Sequence, residues 1–232
     1  MKSFLIACRS LARRPAFAFI ATLTLALGIG ATTAMFSVVD TVLIKPLPFP
    51  NADRLVRVME ANPVGRQQVS LVAPARLEDW NRASRSFDGL TGAYAENVTE
   101  TSGPEPERLA GQRVAPRFFG VFAMSPLVGR TFTPDEERFD GPLVALISEE
   151  FWVRRYGRDP SAVGRRLVLG GVGYSVVGVM PRAFTSATVD IWLPAQFAPG
   201  LIRIREARFL NGVGRMKPGV TIDQAAADLR QV

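Results

Sequence analysis

From Pro15 to Val39 the chain runs without a single Asp, Glu, Lys or Arg, although charged residues make up 21% of the 232-residue sequence. A run of this kind needs a low-dielectric home along its whole length. A helix over 16–39 is about 36 Å long at roughly 1.5 Å per residue, enough to cross a hydrocarbon core about 30 Å thick with modest tilt. The lipid bilayer is therefore the first expected partner. Lys2, Arg9, Arg13 and Arg14 precede the run with no acid among them, and the next basic residue is Lys45. Since a Lys/Arg excess marks the cytoplasmic flank, residues 1–15 are expected inside and the body of the chain outside.

A cleaved signal peptide is the sharpest competing reading, with 1–14 as its basic region and Thr32-Thr33-Ala34 as a small-residue cleavage site. Apolar character continues past that point through Met35, Phe36, Val38 and Val39 and resumes at Val42-Leu43-Ile44, longer than a signal peptide needs. The uncleaved anchor is preferred, and both readings export the body. Leu5-Ile6-Ala7-Cys8 has the look of a lipid-attachment box but lies before the apolar segment instead of after it. Gly28-Ile29-Gly30-Ala31 suits close approach of another membrane helix, or simply reflects how common small residues are in such segments.

Histidine is absent and Cys8 is the only cysteine. Intrachain disulfides, Cys/His metal sites and nucleophile–histidine catalysis are excluded at once. The formal charge of +7 and pI near 10.4 raise nucleic-acid binding. Four of the basic residues belong to the membrane flank, and the others are mixed with acids such as Asp135, Glu136, Glu137, Glu149 and Glu150. No nucleic-acid partner is expected.

Lys45-Pro46-Leu47-Pro48-Phe49-Pro50 alternates prolines, which oppose helix and ladder alike, so 40–50 reads as a stiff linker into a body spanning 51–232. Leu55–Met59 has strand character, and 75–87 reads as an amphipathic helix behind Pro74, with Leu77, Trp80 and Ala83 on one face. Leu90–Ala95 and Arg108–Val114 read as strands, and Phe118, Phe119 and Phe122 as a short helix. Leu143–Ile147 suits a buried strand, followed by Ser148 as the cap of a helix over 149–156 that Gly157 ends. Arg166–Leu169 and Tyr174–Met180 flank Gly170-Gly171-Val172-Gly173, a hairpin turn rather than a phosphate loop, because Tyr174–Val179 is strand-like and not helical. Thr221-Ile222-Asp223-Gln224 is a capping box for a helix through Ala225–Leu229. The sequence stops at Val232 inside or just after it, so the domain is expected to be truncated at its C-terminal end. The fold class is α+β, one N-terminal transmembrane helix and then a mixed domain.

The acidic clusters at 135–137 and 149–150 read as helix starts with carboxylates at the positive dipole end, not as catalytic pairs. Phe118, Phe119, Phe151, Trp152 and Trp192 read as core rather than a contact surface. No catalytic, cofactor-binding or metal-ligating residue is proposed, and no cofactor.

The run from Leu143 through Ile147, with Ser148-Glu149-Glu150-Phe151-Trp152-Val153-Arg154-Arg155-Tyr156-Gly157, is followed by Asp159-Pro160, Val163-Gly164-Arg165 and Val176-Val177-Gly178-Val179-Met180-Pro181. Ala115-Pro116-Arg117-Phe118-Phe119, Gly129-Arg130-Thr131-Phe132 and Val213–Thr221 support it. Together these resemble the MacB-like periplasmic core domain of MacB/FtsX-type ABC transporter permeases, including the acidobacterial-type duplicated orphan permeases. The resemblance implies a non-catalytic permease subunit that couples ATP-driven helix movement to a periplasmic domain, in efflux, lipoprotein release or cell-wall hydrolase control. It implies a separate cytoplasmic ATPase, and three further membrane helices or a second permease copy as partners, since nothing after Val39 resembles another span. A stand-alone membrane-anchored periplasmic binding or scaffold protein is the alternative.

Overall fold

The computed structural model describes residues 15–39, 49–60, 71–184 and 189–232. The basic residues 1–14 and most of the proline linker, 40–48, lie outside the described residues. The chain divides into two compact units, Met1–Leu47 and Pro48–Val232.

Among the described residues of the first unit, helix α1 spans Pro15–Val39, 25 residues with no acid in its first turn and no base in its last. Proline opens it because its missing N–H would be unsatisfied there anyway. Phe17, Phe19, Leu25, Leu27, Met35 and Phe36 are all more than half exposed. The Thr24, Thr32 and Thr33 hydroxyls donate to the carbonyls of Ile20, Gly28 and Ile29 at 2.6–2.8 Å, so these polar groups are satisfied without water. A Cβ at Gly28 or Gly30 meets no atom within 4 Å, so nothing within this helix demands glycine there. Among the described residues, which exclude the side chains of Pro15, Ala18, Ala21, Val38 and Val39, no helix is long and apolar enough to cross a membrane. The helix is observed; the crossing expected of 16–39 is not.

The second unit is built on one mixed sheet. Its elements in chain order are β1 (Leu55–Val58), α2 (Pro74–Ala83), β2 (Phe87–Ala95), β3 (Val98–Glu100), β4 (Glu107–Leu109), β5 (Gly111–Val114), α3 (Phe118–Phe122), β6 (Val128–Gly129), α4 (Pro134–Glu137), β7 (Val144–Ser148), α5 (Glu149–Tyr156), β8 (Arg166–Leu169), β9 (Val172–Met180), β10 (Ile191–Pro194), β11 (Asn211–Met216) and α6 (Ile222–Arg230). The strand order is β1-β11-β2-β5-β10-β7-β9-β8-β3-β4, with β6 also paired to β9. Pairs β10–β5 and β7–β9 are parallel and the rest antiparallel.

Strand β7 explains why its sequence is apolar at consecutive positions. Ala145 and Ile147 face α5, where they meet Phe151, Trp152, Leu167 and Val179, while Val144 and Leu146 face the aromatic side with Phe118, Phe119 and Trp192. Successive strand residues point to opposite faces, so a strand covered on both sides has no polar position to spare. A third core lies under α2 and α6, on the β1-β11-β2 end of the sheet, with Val58, Leu77, Trp80, Phe87, Leu90 and Ala225.

The Ser148 hydroxyl accepts from the Phe151 N–H at 3.1 Å, and Gly157 closes α5 in the left-handed region at φ 56°. Gly170 and Gly171, at φ 55° and 84°, form the two-residue turn between β8 and β9, with Leu169 paired to Val172. Both central residues of such a hairpin need positive φ, which only glycine takes without strain. The Thr221 capping box closes with bonds of 3.0 and 3.3 Å.

Three expectations are corrected. Helix α2 ends at Ala83, which is exposed, and Phe87 belongs to β2. Asp228 on α6 accepts from Ser84 Oγ at 2.6 Å and from the Arg85 and Ser86 N–H groups at 2.9 Å, stopping the helix by a contact remote in sequence. The strand expected over 108–114 is two, β4 and β5. At Ala110 the chain leaves β3 to pair with β10, and its N–H donates to Asp190 Oδ2 at 3.0 Å. Strand β9 begins at Val172 rather than Tyr174 because the turn is only two residues long.

Candidate functional site

The acids singled out in the sequence are held in structural roles. Glu136, on the one-turn helix α4, is buried, accepts from Arg130 Nη1 and Nη2 at 2.8 and 2.7 Å and from the Thr133 N–H at 2.9 Å. The Arg130 hydrogen bonds hold its carboxyl below the usual range against the opposing effect of burial. Glu137 accepts from the Arg117 N–H at 3.2 Å, and burial pushes its pKa up. Glu149 accepts from Arg158 at 2.7 Å, and Glu150 pairs with Arg182 at 3.1 Å. Among the described residues no three His, Cys, Asp or Glu side chains come together as a metal site. The Gly170–Gly173 segment is the hairpin and precedes a strand.

The aromatic residues meet as core. Phe118, Phe119, Phe151, Trp152 and Trp192 are each at most 7% exposed. Phe151 and Trp152 lie in the core on the α5 side of the sheet, and the cluster of Phe118, Phe119 and Trp192 on the other side centres on Phe184, in a short 3₁₀ turn after β9. Its ring lies 5.4–5.9 Å from those of Phe49, Phe118, Phe119, Phe122 and Trp192. The separations suit edge-to-face and tilted packing.

Phe49 brings the start of the second unit into that cluster, 5.1 Å from Phe122. The next residues are tied down from the sheet. Arg215, on β11, is 6% exposed and its guanidinium donates to three backbone carbonyls: Val121 at 2.5 Å, Pro50 at 3.0 Å and Asn51 at 3.3 Å. Its Nη2 has no partner among the described residues. Burial first, and then the neighbouring Arg54 cation, lowers its pKa below the ordinary arginine value. Arg54 Nε donates to the Met216 carbonyl at 2.7 Å, and its Nη2 pairs with Asp88. Asn51 sits in the left-handed region at φ 51°, which asparagine tolerates better than most residues, and the 3₁₀ turn Ala52–Arg54 then turns the chain into β1.

The lead-in to the domain is thus fixed by one ring, one buried cation and one surface cation. The cation is clamped where β2 carries a bulge at Asp88, opposite the Arg215–Met216 step. Such a set offers no chemistry on a substrate; it holds the first residues of the domain to its last strand. Sequence reasoning missed Arg215, Phe184 and the role of Phe49. The available signal was a lone charge in the otherwise uncharged β11 segment Asn211–Met216.

The fold and this junction define a packed α+β domain built on one mixed sheet. The chain belongs to the MacB-like periplasmic core domain family, whose model matches residues 18–232. The periplasmic region of MacB from Actinobacillus actinomycetemcomitans superposes with a TM-score of 0.61 at 12% identity, covering 82% of this chain and 86% of that one. The extracellular domain of the noncanonic ABC-type transporter YknZ from Gram-positive bacteria gives 0.53 at 14% identity, over 76% and 91%. A domain described as that of a permease from Porphyromonas gingivalis gives 0.62 at 18% identity, over 79% and 84%. At these identities the likeness is one of fold. Among curated protein sequences none is significantly similar to this chain. The family is a permease component of ABC transporters, not itself catalytic, and works with a cytoplasmic ABC ATPase.

Proposed function

We propose that this chain is the N-terminal part of a permease subunit of a MacB/FtsX-like ABC transporter. The family match over 18–232 carries the reading, because it takes in both the charge-free helix from residue 18 on and the mixed domain that follows. In it, 16–39 crosses the inner (plasma) membrane with residues 1–15 in the cytoplasm, 40–50 links, and 51–232 lies in the periplasm or outside the cell. The warrant for the span is length and lack of charge, and for its direction the four basic residues before it. ATP is hydrolysed by a separate cytoplasmic ATPase. Movement of the membrane helices, including those of further permease segments or a second copy, reaches the domain through Phe49–Arg54, which are hydrogen-bonded to β11 and packed into its aromatic core. The output is export or mechanical signalling.

Membranes containing the full chain test this. The protein is expected to resist carbonate extraction, to lose residues beyond about 45 to protease only from the outer side, and to release no phosphate from ATP unless an ABC ATPase is supplied. A soluble product beginning near Met35 refutes the anchor. Stable retention in membranes with no association to any ABC ATPase or permease segment favours the stand-alone scaffold instead.

A further inference from the structure

A cleft of about 560 Å³ opens beside α6 and the edge strand β1. Its volume falls within the few-hundred to thousand Å³ of small-molecule sites. The floor is the outer layer of a buried hydrophobic core, with Val58, Trp80, Phe87 and Met216, and Leu229 of α6 forms a wall. Two features separate it from an ordinary surface dent. Trp80 is 5% exposed, yet its indole Nε1 has no hydrogen-bond acceptor among the described residues. Trp80 lines the cleft while its Nε1 is closed to solvent, so the indole senses filling of the cleft without itself bonding a ligand.

The second feature is the charge around the opening. Arg57 and Arg230 line the cleft, are exposed, and have no side-chain partner among the described residues. Arg76 also lines it and donates to the Val232 carbonyl at 3.2 Å, while Arg208 is committed to the buried Glu60 at 2.6 Å. One carboxylate therefore stands against four guanidinium groups, and it is already paired with one of them. An apolar floor and an arginine rim select a particular chemistry: an apolar chain with an anionic head.

We infer that this cleft binds an amphipathic anion, a single acyl-like chain ending in a carboxylate or phosphate. The chain lies over Val58, Phe87 and Met216, and the head lies against Arg57 and Arg230. The inference is independent of whether the chain acts in a transporter. Carboxylate-headed amphiphiles in solution and phosphate-headed lipids of a bilayer share this chemistry.

Fluorotryptophan incorporated into the full chain, held in nanodiscs of zwitterionic lipid, provides the readout. Three tryptophan resonances arise in fluorine NMR, and Trp80→Phe assigns one of them. Octanoate and octyl phosphate are expected to move the Trp80 resonance saturably while those of Trp152 and Trp192 stay in place. Octylamine at equal concentration is expected to leave it unmoved. Arg57→Gln with Arg230→Gln should weaken octanoate at least about tenfold, the equivalent of about 1.4 kcal/mol. Ala226→Phe, at a partly exposed lining position, should abolish the shift with the fold intact. A resonance already displaced in nanodiscs of anionic lipid, without added amphiphile, identifies the bilayer as the source; its displacement only by octanoate identifies a soluble one. No saturable shift, equal shifts by octylamine and octanoate, or joint movement of all three resonances would overturn the inference.

Discussion

Replacing Arg215 by alanine removes the one buried cation that joins β11, α3 and the lead-in to the domain. Its three hydrogen bonds run to the carbonyls of Val121, Pro50 and Asn51 at 2.5, 3.0 and 3.3 Å. Bonds from a charged donor contribute roughly 1.5–3 kcal/mol each, but they do not sum here. The Pro50 and Asn51 carbonyls lie near exposed backbone and regain water, and burying a guanidinium with one unpartnered nitrogen is itself unfavourable. The Val121 bond and the lost packing of the side-chain stem remain, giving a net loss of about 3 kcal/mol. At roughly 2–4 °C per kcal/mol for a domain of this size, thermal unfolding of residues 48–232 should move down by about 6–12 °C. Arg215→Met keeps the stem and should recover about 1 kcal/mol of that loss. Hydrogen exchange gives the local readout: the Arg54 amide, bonded to the Asn51 carbonyl at 3.1 Å, should exchange faster in both variants than the loss of global stability requires. A change below about 1 kcal/mol in Arg215→Ala, with unaltered exchange at Arg54, would show that Phe49 and Arg54 hold the lead-in without Arg215 and would refute the clamp.

Phe184→Ala removes the ring around which Phe49, Phe118, Phe119, Phe122 and Trp192 pack, and calorimetry should record a loss of about 3–5 kcal/mol. Gly171→Val forces a β-branched residue to φ 84° where no neighbour lies within 4 Å, so urea unfolding should report a backbone cost alone, at least about 1–2 kcal/mol, with Gly171→Asn far milder. The hydrogen bond from Ser84, assisted by the Ser86 and Arg85 N–H groups, lowers the Asp228 pKa from 3.8 to about 2 against slight burial. Because the folded value is the lower one, this stabilisation is complete above about pH 4 and disappears as pH falls through 2. Asp228→Asn should therefore lose about 1 kcal/mol at neutral pH, a figure reduced for solvent screening, and the gap to the unmodified protein should close between pH 4 and 2 in acid titrations.

What the linear sequence determined is local. The charge-free run gave α1, since 25 consecutive residues without a charge have one economical way to satisfy their backbone. The Ser148 cap, the Gly157 stop, the Gly170-Gly171 turn and the Thr221 box each rest on residues within a few positions of one another, and each is found. The compact apolar run likewise marked β7 as a buried strand and its neighbouring aromatics as core. Tertiary structure decided where elements end and what joins them. Helix α2 stops where Asp228, some 140 residues later, takes up the following backbone N–H groups. The strand over 108–114 splits because its two halves find partners in different parts of the sheet, β3 and β10. The last strand, β11, lies between the first two, which brings Arg215 to Pro50 across 165 positions. No local pattern encodes such a pairing, because a buried arginine is recognised only by the carbonyls that surround it, and those come together only once the sheet has closed around the chain's end.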